Sequence, residues 1–596
     1  VQAPLDARTS GRYYLDVVPT RSVLHAGGLA LSVLVFTWPQ IAVYGLGRPP
    51  SYPLVTVIFT LLIVAMVVSW HQGDAASPSG TVWLKPVVPI VAAVAAFVVG
   101  IAMYRWTQVA AWQAYGADML IVIREATRRF LNGHTPYATY RSYDAPWEMA
   151  MPYGPALWGP FLIPQLLRLD FRIVTIICEL FIPVWCGVAA VVESARGRIA
   201  AAACWLALLA ALVLAFDVQG FTRIGHTPVY WPLLPVFAVL VARRRWIGGA
   251  GVLGLLVVAR TTMVVLIPVF LMAAWKADRR RFPLVLIVLT ITIAAALAPF
   301  IVWDYRAIWD GMILSYPRVM KAAVWPVLRR SGMETVGLTE WLLEQHRDGL
   351  VVPVQVVVMI GVYAVTWPRI RRGLPPLPWM ALALFAFSMT TLYPVHYLYY
   401  DVLLLLASAA VVETLETLDA DPARLAVTPW LLSLTALVVL MFATMRTVAS
   451  PFPSVDAADV TVNRPLRTGF AMSESDGPRH FAWIVGNEAT IVLPRSSADA
   501  ADIILSAQSP FDRTRAPQTV TAILNGKYLA QAPVPAGGMQ EIRFVAPRSA
   551  WWVGFNQLQL LFSSTVSPRE IGEGDDSRQL ALAFSRIDVT PPAPSP

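Results

Sequence analysis

Phe282-Pro-Leu-Val-Leu-Ile-Val-Leu-Thr-Ile-Thr-Ile-Ala-Ala-Ala-Leu-Ala-Pro-Phe-Ile-Val302 runs for 21 residues without a charge. As an α-helix it is about 32 Å long at about 1.5 Å per residue, enough to cross a hydrocarbon core about 30 Å thick. Working outward, similar blocks occur at Leu54 to Val68, Val87 to Met103 and Trp430 to Met445. Of the 596 residues, 57% are hydrophobic and 14% charged, whereas a soluble domain carries about 25% charge. A soluble core of this size lacks the polar surface to cover it. The sequence therefore predicts a polytopic α-helical membrane protein.

About thirteen crossings are expected. They lie near residues 23–45, 52–70, 86–104, 172–192, 199–217, 228–242, 283–303, 350–367, 378–394, 398–415 and 428–447, and two come from the block 247–275. That block is interrupted by Arg260-Thr-Thr and reads as two short helices in a hairpin. The short apolar piece 155–167 is expected to be re-entrant or interfacial. Arg8, Arg12 and Arg21 precede the first span, which places the N-terminus in the cytoplasm. Arg196 and Arg198, Arg243 to Arg245, Arg279 to Arg281 and Arg369 to Arg372 then fall on the same side. Loops 105–171, 218–227 and 304–349, with everything after residue 448, fall on the other, periplasmic or extracellular, side of a bacterial cytoplasmic membrane. The first apolar block lacks a small-residue cleavage site and is expected to remain as a span. The net charge of +9 sits in short loops between apolar blocks, as the positive-inside rule requires, and not in a nucleic-acid-binding stripe. Cys178, Cys186 and Cys204 read as small packing residues, with no disulfide or metal spacing.

After Pro451 the period changes from helical to two. Alternating runs occur at Ala489 to Leu493, Ile503 to Ser506, Thr519 to Leu524, Glu541 to Val545, Leu558 to Phe562 and Leu580 to Phe584. Asn525-Gly526 predicts a type I′ hairpin, because both residues tolerate positive φ. Six or more short strands predict a β-sandwich, jelly-roll-like, over 451–596, with a disordered proline-rich tail. The expected division is 1–85 for two extra helices, 86–450 for the membrane domain and 451–596 for the sandwich.

The densest chemistry lies in the first outer loop. Asp118 starts an amphipathic helix ending in Arg128-Arg129-Phe130, followed by Gly133-His-Thr-Pro136-Tyr137 and then Met151-Pro-Tyr153-Gly154-Pro155. An acid there suits the helix dipole, and the competing reading is a plain N-cap. The order of acid, amphipathic helix, Gly-x-x-Pro-Tyr, Tyr-Gly-Pro and apolar segment resembles the first outer loop of GT-C glycosyltransferases. It is most similar to the polyprenyl-phosphate-mannose-dependent mannosyltransferases of glycosyltransferase family 87, where Tyr-Pro-Pro stands in place of Tyr153-Gly154-Pro155. The resemblance spans about residues 86–410 and implies that Asp118 is the catalytic base. It also sets Arg260, where the family often has Lys-Pro at a hairpin tip, near the donor phosphate. The competing reading of Arg260 is an ion pair inside the bundle. His396, in Tyr393-Pro-Val-His-Tyr397-Leu-Tyr-Tyr400-Asp401, is placed near the same phosphate, against a reading as interfacial belt. Tyr137, Tyr153, Arg223, His226 and Tyr397 are further candidates for substrate contact.

The chemistry explains the residue types. A polyprenyl-phosphate sugar carries its own leaving group, so an inverting transfer needs one carboxylate base and cationic groups at the departing phosphate. No cofactor is expected, and a lipid monophosphate donor does not demand a metal. The expected partners are membrane lipids, the lipid-linked donor and a cell-envelope glycan or glycolipid acceptor, with no nucleic acid. A paired-carboxylate hydrolase using Asp118 with Asp144 or Glu148 is the catalytic competitor. A glycan or lipid transporter is disfavoured, since no inverted repeat of broken helices is visible. A non-catalytic assembly subunit is a third reading, with Trp483, Trp551 and Trp552 as a sugar platform. Loop 304–349 reads mainly as solvated, interfacial surface, against an acceptor site, and the acidic stretch Gly572 to Arg578 as a strand-connecting loop, against a calcium loop.

Overall fold

A computed structural model of the chain describes residues 21–46, 52–69, 87–108, 118–141, 148–167, 172–214, 227–328, 337–393, 398–416, 455–456, 467–495, 497–509, 518–535, 537–552 and 554–592. Helices Arg21–Leu46, Tyr52–Ser69, Val87–Gln108, Arg172–Ala195 and Ile199–Leu214 follow the expected spans to within a few residues. Among the described residues, four helices are long and apolar enough to cross a membrane: Ile177–Ala195, Phe282–Ala322, Asp348–Arg371 and Leu398–Leu415. The remaining apolar helices have shorter described apolar stretches, so thirteen crossings are not confirmed among the described residues. Leu233–Ala242, with 10 residues, is only about 15 Å long. The expected span 428–447 lies outside the described residues. Segment 155–167 is broken into the short turns Pro155–Trp158, Gly159–Phe161 and Leu162–Leu166, none long enough to cross.

The helices divide by burial. Leu398–Leu415 is 89% buried over its apolar window and packs on Arg172–Ala195, Leu233–Ala242 and Pro376–Thr390, so it is the central helix. Asp348–Arg371 is 11% buried, and Val356, Val357 and Ile360 point outward from it. Such a face is stable only against lipid or another apolar surface. The block 247–275 is two helices, Trp246–Ala259 and Ile267–Ala277, and it folds back: the Phe270 ring lies 5.7 Å from that of Trp246. The stretch from residue 304, expected as a loop, begins helical. Asp304 leaves helical geometry (φ −158°, ψ 89°), and its Oδ1 accepts the Ala307 amide at 3.0 Å. It thus ends one helical segment and caps the next, which runs on through Val324 in wide turns.

The basic loops gather at one end. His25 pairs with Glu413 at 3.6 Å, and Arg196 donates to the Thr414 carbonyl at 3.0 Å. One cavity there is lined by Arg244, Lys276, Gly373 and Glu413 together. Arg260 and Asp401 lie at the other ends of their helices.

The C-terminal strands are β3 (Val455–Asp456), β4 (Arg467–Thr468), β5 (Phe470–Asp476), β6 (Arg479–Val485), β7 (Glu488–Arg495), β8 (Ala501–Gln508), β9 (Gln518–Leu524), β10 (Lys527–Val534), β11 (Gln540–Ala546), β12 (Gly554–Phe562) and β13 (Leu580–Thr590). Two further strands, β1 (Thr139–Arg141) and β2 (Glu148–Ala150), pair in the outer loop. One C-terminal sheet runs β10-β9-β12-β7-β4 and the other β11-β8-β13-β6-β5 with β3 on β13. The orders β6-β13-β8-β11 and β7-β12-β9-β10, all antiparallel, are the two sheets of a jelly roll. Inner residues such as Ile491, Ile503, Val520, Phe544 and Leu560 are fully or almost fully buried between the sheets. Asn525 (φ 53°) and Gly526 (φ 79°) turn β9 into β10 with the paired positive φ of type I′.

Candidate functional site

Helix Trp246–Ala259 ends because Arg260 adopts an extended backbone (φ −143°, ψ 116°), and a tight turn Thr261–Leu266 follows. The next helix opens with Pro268 in its first turn, a position that needs no amide hydrogen. The break leaves Arg260 8% exposed. Its Nε lies 3.9 Å from Oδ2 of Asp401, in the first turn of Leu398–Glu416 and 2% exposed. That is ion-pair range, beyond hydrogen-bond range. Asp401 is held by other groups. The Tyr230 hydroxyl is 2.7 Å from both carboxylate oxygens, and Trp231 Nε1 donates to Oδ1 at 3.1 Å. The Arg260 guanidinium also lies 5.8 Å from the Tyr230 ring centre. A buried charge needs such partners. The competing sequence reading of Arg260, an ion pair in the bundle, is thus realised. Tyr230 and Trp231 were missed, because nothing in their spacing points to residue 401.

A wedge of outer loop packs beside this cluster. A Cβ added at Gly154 would collide with the carbonyl of Val258, two residues before Arg260. A Cβ at Gly311 would come within 2.5 Å of the Met151 carbonyl. The stretch Met151–Gly154 is therefore clamped between the end of Trp246–Ala259 and the turns after Asp304. Behind it is an aromatic cluster. Phe300 lies 5.6 Å from Tyr137 and 5.5 Å from Trp158, and Phe130 lies 5.3 Å from Trp158. The Tyr137 hydroxyl donates to the Tyr153 carbonyl at 3.2 Å and accepts from Trp158 Nε1 at 3.4 Å. Burial pushes the Tyr137 hydroxyl well above the usual tyrosine range, and burial does the same to Tyr140. Helix Asp118–Leu131 buries Val122, Ile123 and Ala126, and the Thr127 hydroxyl bonds Gln165 at 2.5 Å.

The predicted residues fall as follows. Asp118 opens its helix, as the sequence suggested, and its side chain lies outside the described residues. Tyr137 is 2% exposed and belongs to the core, where it pins the loop. Tyr153 is half-buried, with its carbonyl engaged by Tyr137. Arg223, His226, His396, Tyr397 and Asp144 lie outside the described residues, as does the side chain of Glu148. In the sandwich, Trp551 is fully buried under the Arg495 guanidinium at 4.3 Å, so it is core; Trp483 and Trp552 are half-buried. Among the described residues no group of three or more His, Cys, Asp or Glu could hold a metal ion.

No family model matches the chain, and no curated protein matches it. Among solved structures, the arabinosyltransferase EmbB from Mycobacterium smegmatis, determined by single-particle cryo-electron microscopy, aligns over 91% of this chain and 69% of that chain. The identity is 12% and the TM-score 0.19, and an alignment at that score carries no argument for fold or activity.

Proposed function

We propose that the chain is a GT-C-type membrane glycosyltransferase that moves a sugar from a polyprenyl-phosphate donor to a cell-envelope glycan or glycolipid. The observation that carries this reading is the buried Arg260–Asp401–Tyr230 cluster beside the clamped Met151–Gly154 stretch. It joins regions that the sequence reading had singled out separately. In the proposed reaction the acceptor hydroxyl oxygen attacks the anomeric carbon. The bond from that carbon to the phosphate oxygen breaks, and the electron pair leaves on the lipid phosphate. Asp118 takes the hydroxyl proton. Arg260 faces the charge that develops on the phosphate, where a fixed cation in a dry site is worth most. Asp401, fixed by Tyr230 and Trp231, sets the position of Arg260. The reaction takes place at the outer face of a bacterial cytoplasmic membrane, with the sandwich on that side and the basic loops on the cytoplasmic side.

The test is transfer from a radiolabelled polyprenyl-phosphate sugar by reconstituted protein. Asp118→Asn is expected to lower turnover at least about a hundredfold at unchanged membrane insertion. Full activity in that variant removes Asp118 from the mechanism. Movement of the intact labelled donor across the liposome, with no transfer, replaces the enzyme reading by a transporter.

A further inference from the structure

At the end of the bundle opposite Arg260, four segments enclose a cavity of about 480 Å³. Its charged lining is Arg244, Lys276 and Glu413, and its apolar walls include Trp246, Ile370 and Leu377. A second cavity of about 260 Å³ shares Arg244 and Trp246 with it. Glu413 pairs with His25. Among the described residues no ion pair joins Arg244 or Lys276 to an acid, and both are exposed. Arg244 also sits at φ 54°, where the turn closing helix Leu233–Ala242 bonds the Arg245 amide to the Leu240 carbonyl at 2.8 Å. Such a position ordinarily takes Gly or Asn, and another residue there costs about 1 kcal/mol. A cation is kept at that position against the backbone's preference.

The surroundings place this cavity at a membrane–water boundary. Arg279 lies over Trp275 at 5.4 Å, Arg369 over Trp379 at 4.8 Å and Arg371 over Trp367 at 5.8 Å. Trp rings paired with cations are the residues that settle at headgroup level. Ile370 of the cavity wall lies near the end of Asp348–Arg371, whose outward face bears the exposed Val365. The exposed apolar flank and the basic cavity thus share one end of this helix.

We infer that this cavity binds the phosphate headgroup of an anionic membrane lipid, with Arg244 and Lys276 on the phosphate and the acyl chains along the helix flank. Basic pockets between helices at the cytoplasmic boundary suit this chemistry, and Arg adds a planar fork that matches phosphate. The site is independent of the transfer chemistry proposed above.

The experiment uses the full chain in nanodiscs of phosphatidylcholine doped with phosphatidylglycerol, with native mass spectrometry of the lipids retained. The wild type is expected to retain phosphatidylglycerol preferentially. Arg244→Asn with Lys276→Gln is expected to lose about tenfold of that retention, as removal of charge-assisted bonds predicts. Asn tolerates the left-handed turn, so the neutral variant keeps the local fold. Glu413→Gln removes the one acid among the described residues lining the cavity and is expected to raise retention, the opposite of what a misfolded protein would give. Undiminished phosphatidylglycerol retention in the double variant overturns the inference. So does protection by inorganic phosphate in phosphatidylcholine nanodiscs equal to that by the lipid, which would make the ligand a soluble anion.

Discussion

Asp401 shows at the scale of one residue why a buried carboxylate needs company. It has two hydrogen-bond donors and a cation around it, drawn from sites far apart in sequence. Replacing Asp401 by Ala removes the carboxylate 3.9 Å from Arg260 and the acceptor of Tyr230 and Trp231, which is expected to cost about 3 kcal/mol of stability by thermal unfolding in detergent. Asp401→Asn keeps an acceptor for Trp231 and is expected to cost less. Arg260→Gln is expected to lower transfer from the lipid-linked donor about a hundredfold with a smaller change in unfolding temperature, because its charge acts on the leaving group. Equal activity of Arg260→Gln and wild type would confine this arginine to a structural role. The sequence showed the residue types here: Arg260 stood out as a charge in an apolar block, and Asp401 closed an aromatic-rich stretch. It could not show their pairing, because that depends on how the helices lie against one another.

At the scale of elements, the apolar blocks and the alternating runs were legible because burial imposes their period. Expected runs fall inside β7, β8, β9, β11, β12 and β13, and the Asn525-Gly526 turn has the geometry its residues dictate. β5 and β6 were missed. Ser473-Glu-Ser-Asp476 carries no apolar alternation, and β5 is the outermost described strand of its sheet. The clamped wedge was equally hidden, since a close approach of backbones leaves no mark beyond a glycine. Gly154→Ala is expected to displace the wedge, costing about 1–3 kcal/mol and lowering transfer at least about tenfold. Gly159→Ala is the control. It has right-handed helical backbone geometry and open space around it, so the change is expected to be neutral or slightly stabilising. The same loop should be sensitive to alkali. Unfolded tyrosine ionises near pH 10, while burial raises Tyr137 and Tyr140 above that range. Above about pH 10 the unfolded state therefore holds fewer protons, and stability falls as pH rises. Tyr137→Phe is expected to reduce that slope, measured by denaturation between neutral pH and about pH 11.

At the scale of the whole molecule, the question is whether the sandwich is only tethered or is seated on the helices. Ile491 and Leu493 of β7 point into the jelly-roll core, while Val492 between them is fully buried in the cluster formed by the helices. The turn of β9 and β10 reaches the same neighbourhood: a methyl on Gly526 would lie 3.7 Å from the Arg128 guanidinium, in the helix that Asp118 opens. Strand β7 thus has both faces buried at Val492, which a tethered domain would not need. This seating was invisible in the sequence, where Val492 is one more apolar residue in an alternating run. Val492→Asp places an unpaired charge in the junction and is expected to cost about 3 kcal/mol or more. Unfolding should then separate into two transitions, with the sandwich keeping its own, and transfer activity should fall with the helical transition. Val545→Asp tests the opposite sheet. Val545 on β11 is 65% exposed, so the change is expected to stay within about 0.5 kcal/mol of wild type. If both variants unfold in one transition at the wild-type temperature, the sandwich contributes nothing to the helical domain. If only Val492→Asp splits the transition, the jelly roll is seated against the helix that carries the proposed base.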